Sequence, residues 1–168
     1  MPMTRPELEA FLDSLGIDHA TVEHPPVFTV EEAQVHTHHL PGGHAKNLFL
    51  QDKRGGFWLV TCLDQQPVKV NALARLLKAP RFSFGKADRL MQVLGVPPGS
   101  VTPLALVNDR DRQVRPVLDT KLMAHELVNC HPLANTATTT LKAMDLLRFM
   151  EALGYSPTLV DLDATLDA

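Results

Sequence analysis

The chain has 168 residues, 45% of them hydrophobic and 21% charged, with a formal net charge of -3. One domain of that length, taken as residues 1–168, buries a sizeable core, and the apolar share is too high for a disordered chain. No apolar run approaches the ~18 residues of a membrane helix, no export signal opens the chain, and two cysteines exclude a disulfide scaffold, so a cytoplasmic protein with no membrane partner is expected.

Thr4 and Glu7 form a capping-box pattern with Pro6 in the first turn. Leu8, Phe11, Leu12 and Leu15 then recur at helical spacing up to Gly16, predicting an amphipathic helix. A short strand is expected over 20–23, and Thr29 with Glu32 predicts a second, short capped helix. HTHHLPGGH, residues 36–44, reads as a loop. Apolar, β-favouring runs over 47–51 and 57–63 flank DKRGG, a hairpin signal. Val70, Leu73, Leu76 and Leu77 mark a helix ending before Pro80, and Leu90, Met91 and Leu94 mark another ending at Gly95. Strands are expected over 104–107, 114–118 and 127–130. A helix through Leu146, Phe149, Met150 and Leu153 stops at Gly154, and a last strand covers 158–161. Hairpins mixed with helices, without regular βαβ alternation, predict an α+β fold with a mixed, mostly antiparallel sheet and surrounding helices.

Familiar nucleophile and phosphate-loop motifs are absent: there is no GxSxG, P-loop or GxGxxG, and Cys62 in LVTCLD reads as a buried strand residue. The histidines His36, His38, His39 and His44 have neither an HExxH pattern nor paired cysteines to complete a ligand set, so neither a metal nor another cofactor is expected. Three segments carry polar groups in places suited to binding. GGHAKNLFL (42–50) holds Lys46 and Asn47 where a Gly-rich loop enters a strand, a position that equally suits a surface pair. GVPPGSVTP (95–103) contains the G-x-x-x-P loop Gly99, Ser100, Val101, Thr102 and Pro103. Such a loop can aim backbone N–H groups at a carbonyl oxygen, although by itself it reads first as a turn. NCHPLANTATTT (129–140) is dense in hydrogen-bonding groups, with His131 and Asn135.

In this order, with HPPVFTVEEA before them, the segments AKNLFLQDKRG, LGVPPGSVTPLAL and NCHPLANTATTTL resemble the YbaK/ProX superfamily of aminoacyl-tRNA editing deacylases. The likeness is nearest to the free-standing prolyl-tRNA synthetase-associated type, over about residues 25–161. The resemblance implies a compact α+β domain that hydrolyses the ester of mischarged tRNA in trans, alanine on proline tRNA being the expected substrate. Cysteine or serine esters, or a non-catalytic tRNA-binding module, are the alternatives. Lys46 matches the family lysine that holds the tRNA 3′ end, with Asn47 beside it. Gly99 to Pro103 match the loop whose backbone contacts the aminoacyl group. His131 matches the histidine that shapes the pocket, and Asn135 completes that segment. A prolyl-tRNA synthetase or an elongation factor is a further implied partner.

The charge is unevenly spread. Residues 1–44 carry -6, residues 45–92 carry +6 and residues 93–168 carry -3. Arg75, Lys78, Lys86 and Arg89 in the basic middle form either a solvated helix surface or a local phosphate footprint for the acceptor end of tRNA.

Overall fold

A computed structural model describes residues 1–166. Asp167 and Ala168, the last two residues of the expected domain, lie outside the described residues. Among the described residues, eight strands form one mixed sheet in the order β1-β7-β6-β2-β3-β5-β8, with β4 added beside β2. The strands are β1 (His19–Glu23), β2 (Gly43–Asp52), β3 (Phe57–Leu63), β4 (Phe82–Phe84), β5 (Val114–Asp119), β6 (Leu127–Cys130), β7 (Ala137–Lys142) and β8 (Thr158–Val160). Pairs β1–β7, β6–β7, β2–β3 and β2–β4 are antiparallel, whereas β2–β6, β3–β5 and β5–β8 are parallel. The expected α+β fold with a mostly antiparallel mixed sheet is therefore present.

The central position of β3 explains why its sequence is apolar at nearly every residue. A strand covered on both sides loses the polar alternation of a half-exposed one. Phe57 and Leu59 point into one core with Phe49 and Leu118, and Trp58, Val60 and Cys62 point into the opposite core with Leu50 and Val117. Helix α1 (Arg5–Ser14), α4 (Ala87–Leu94) and α6 (Ala143–Ala152) cover the first core, and α3 (Val70–Leu76) covers the second. The capping box of α1 is complete, with Thr4 and Glu7 each bonding the other's backbone N–H.

Several boundaries differ from the sequence reading. Helix α2 (Val30–Thr37) runs through His36, and β2 starts at Gly43, so only the middle of HTHHLPGGH is a loop. The expected strand over 104–107 is a 3-10 helix, Pro103–Asn108. Pro103 presets its first turn, and the Thr102 hydroxyl accepts the Leu104 N–H at 3.3 Å. Leu104, Ala105 and Leu106 are all fully buried, a pattern that a strand and a helical turn satisfy equally. Strand β7 starts inside the polar 129–140 segment and runs on to Lys142, and β4 and the short α5 (Thr120–Met123) carry no periodic signal of their own. On α3 and α4 the apolar stripes leave out Leu76 and Met91, which are exposed, and Val93 is buried in their place. Among the described residues, no helix is long and apolar enough to cross a membrane.

Candidate functional site

A cleft of about 250 Å³ opens where β2 leaves its partner β6. Those two strands run parallel for only two residue pairs, Gly43 with Val128 and His44 with Asn129, before β2 continues against β3. The splitting point holds Lys46 and Asn47 on β2 against Asn129, Cys130 and His131 at the end of β6. Gly99 and Val101 close a third side, and Phe28 with α2 residues Val30, Ala33 and Thr37 forms a fourth. Gly42 permits the close approach of the two strands. Its φ is +97°, and a Cβ there would stand 2.3 Å from the Leu127 carbonyl oxygen. The Asn129 amide secures the same corner, donating to the Pro41 carbonyl at 2.9 Å.

Hydrogen bonds fix the polar groups around the cleft. Asn47 accepts from the Thr61 hydroxyl at 2.7 Å and donates to the Val101 carbonyl at 3.1 Å, tying the hairpin to the 99–103 loop. In that loop the Ser100 N–H is spent on the Pro97 carbonyl, and Pro103 has no N–H. The N–H groups of Gly99 and Val101 have no partner among the described residues. Lys46 is half-buried and joins no ion pair among the described residues.

His131 Nδ1 faces the Ala137 carbonyl at 3.0 Å. A carbonyl only accepts, so Nδ1 carries the proton and Nε2 keeps its lone pair. Burial holds the imidazole below its usual pKa of 6.5; the hydrogen bond to Ala137 opposes that shift, and His24 adds to it. The ring is therefore neutral at pH 7 and serves as an acceptor. Burial likewise pushes the Cys130 thiol up to about 12, against the smaller pull of the Thr102 hydroxyl, so no thiolate faces the cleft. Among the described residues no three His, Cys, Asp or Glu side chains converge as metal ligands. The arrangement offers a cation, two free backbone donors and a neutral imidazole, a set suited to binding an ester and the negative charge that develops on its carbonyl oxygen.

Residues 24–149 match the model of the aminoacyl-tRNA editing domain family. The chain belongs to that family. A zebrafish (Danio rerio) protein, prolyl-tRNA synthetase associated domain-containing protein 1, is 42% identical over 161 residues, covering 95% of this chain and 88% of its own. The prolyl-tRNA editing protein ProX of Acetoanaerobium sticklandii is 32% identical over 154 residues, covering 91% and 94%. The crystal structure of a candidate trans-editing enzyme for prolyl tRNA synthetase superposes with a TM-score of 0.73 over 94% of this chain and 95% of that one. At 19% identity, that likeness is one of fold. As a YbaK/ProX-type editing domain, the chain carries the hydrolytic editing of aminoacyl-tRNA in its general form.

This editing domain brings five of the expected site residues to one cleft: Lys46, Asn47, Gly99, Val101 and His131. Ser100, Thr102 and Pro103 are buried behind the loop and shape it from within. Asn135 does not line the cleft; its Nδ2 donates to the Val27 carbonyl at 2.7 Å and holds the wall opposite. Arg75, Lys78, Lys86 and Arg89 are exposed on α3, α4 and their flanks, outside the cleft. Phe28, Thr37 and Asp64, which carried no sequence signal, and Asn129 and Thr138, noted only within the polar 129–140 segment, line the same cleft. Only the second capping pattern, Thr29 with Glu32, signalled that a helix would stand there.

Proposed function

We propose that the chain clears mischarged tRNA in trans, hydrolysing the ester that joins alanine to the terminal ribose of proline tRNA, with residues 1–168 acting as one unit. The observation carrying this reading is the convergence of Lys46, the free Gly99 and Val101 N–H groups and neutral His131 on one small cleft. The near-full coverage of a relative named as a prolyl-tRNA editing protein supports it.

Water attacks the ester carbonyl, the bond to the ribose oxygen breaks, and the proton passes to that oxygen. The Gly99 and Val101 amides receive the developing oxyanion, each such donor being worth roughly 10²–10³ in rate. Lys46 supplies a fixed positive charge for the terminal nucleotide or the developing negative charge. The substrate's vicinal ribose hydroxyl accepts the water's proton as it passes its own to the leaving ribose oxygen, so the chain needs neither a nucleophile nor a cofactor. Discrimination is steric, because one methylene of attraction is worth only about 1–3 kcal/mol. A deacylation panel of alanyl-, cysteinyl- and seryl-tRNA is expected to show turnover of alanyl-tRNA(Pro), with Lys46→Ala slower by about 10²–10³-fold. Turnover of only the cysteinyl or seryl ester would reassign the substrate. Binding without release of any amino acid would make the chain a tRNA-end binding module.

A further inference from the structure

Phe28 is 69% exposed, belongs to neither hydrophobic core, and still lines the cleft. Its backbone is pinned on both sides. The Val27 N–H donates to the Asn135 carbonyl at 3.2 Å, and the Asn135 amide donates back to the Val27 carbonyl at 2.7 Å. On the other side, the Thr29 hydroxyl accepts the Glu32 N–H at 3.1 Å and caps α2. The ring itself lies over Gly99, where a Cβ would stand 3.2 Å from Phe28 Cδ1. An aromatic face held in place before a ligand arrives loses little entropy when the ligand stacks on it.

Charge decides which part of a nucleotide such a face receives. The exposed first turn of α2 beside Phe28 carries Glu31 and Glu32, which disfavour a phosphate at this wall. Lys46 stands elsewhere on the cleft and takes negative charge. What remains for the acidic, aromatic wall is a neutral ring. Every nucleobase offers a π face to an aromatic side chain, independently of its hydrogen-bonding edge.

We propose that Phe28 is the stacking platform for the terminal adenine of the tRNA acceptor end, which sets the aminoacyl ester over Gly99 and Lys46. This rests on the reading of the cleft as an aminoacyl-tRNA site. Alanyl-tRNA(Pro) ending in adenosine, compared with the same tRNA ending in an abasic ribose, tests it. On the intact end, Phe28→Ala and Phe28→Leu are expected to lower kcat/KM about 5- to 150-fold, mainly through KM, while Phe28→Trp keeps the wild-type value. On the abasic end, wild type and Phe28→Ala are expected to be equal. Equal losses on both ends, or no loss on the intact one, overturn the stack; Phe28→Leu preserves apolar bulk, so a folding defect confined to the alanine variant does not decide the result. Fluorescence anisotropy with an uncharged RNA ending in CCA, with and without its last base, separates the two readings. Base-dependent binding that needs Phe28, with no hydrolysis of any charged tRNA, overturns the catalytic reading and upholds the stack. Hydrolysis and binding indifferent to Phe28 overturn the stack alone.

Discussion

Cys130 illustrates how environment overrides residue type. It sits in the cleft beside His131, the pairing from which a thiol nucleophile is often made, yet burial raises its pKa to about 12. Cys62, packed in the core behind Lys46, is raised to about 12 for the same reason, the nearby ammonium offsetting only part of the effect. Thiols need ionisation to react, so iodoacetamide at pH 8 is expected to label neither cysteine in the folded protein and both in urea, as read by mass spectrometry. Cys130→Ala should retain deacylation within a few-fold; loss of activity in that variant would contradict the water-attack mechanism. At this scale the sequence was informative for Lys46 and His131, because the strand entry and the HP turn place them locally. For Asn135 the side chain's destination was invisible, since its partner Val27 lies 108 positions away.

Among the elements, the brief parallel pairing of β2 with β6 creates the site, and Gly42 makes that pairing feasible. Gly42→Ala places a side chain on a backbone with φ +97° and within 2.3 Å of a carbonyl oxygen. Strain and overpacking together are expected to cost about 2–5 kcal/mol, seen as a lower urea midpoint, and to reduce hydrolysis because Lys46 and His131 lose their common anchor. Gly55→Ala is the control. Its φ is +85° and nothing lies within 4 Å, so only the backbone term, about 1–2 kcal/mol, should appear. An equal cost at both positions would argue against the close strand approach as the determinant. Elements signalled by local chemistry, such as the capped α1 and α2 and the DKRGG hairpin, were legible. Strand β7 was not, because its threonines read as a polar loop. Their hydroxyls are instead satisfied across the sheet, Thr139 by Thr21 at 2.7 Å and Thr138 by His24 at 2.8 Å.

Across the whole molecule, the -3 net charge conceals an acidic N-terminal segment, residues 1–44, and a basic middle segment, residues 45–92. Arg75, Lys78, Lys86 and Arg89 are all exposed and lie apart from the cleft, where only the body of a tRNA beyond its terminal nucleotide would meet them. Replacing Arg75 and Lys78 with Gln is expected to weaken tRNA binding and to flatten the salt dependence of log K by about 1 for each charge that meets a phosphate. A minimal aminoacyl-nucleotide, too short to reach them, is the control substrate. An unchanged salt slope would leave these cations as a solvated surface.

The sequence by itself determined the elements that carry a local signal and the family, because helix caps, hairpin turns and four ordered motifs depend on residues close together in the chain. It also placed Lys46, the Gly99 loop and His131 as the residues to watch. Tertiary structure alone decided that these three meet at one cleft, that the Ser100 N–H is spent on the Pro97 carbonyl, and that Phe28 and α2 form its remaining wall. The physical reason is distance along the chain. Sheet pairing joins residues 43 and 128, and hydrogen bonds join 27 to 135 and 47 to 101, contacts whose closure the whole core stabilises and no local pattern records.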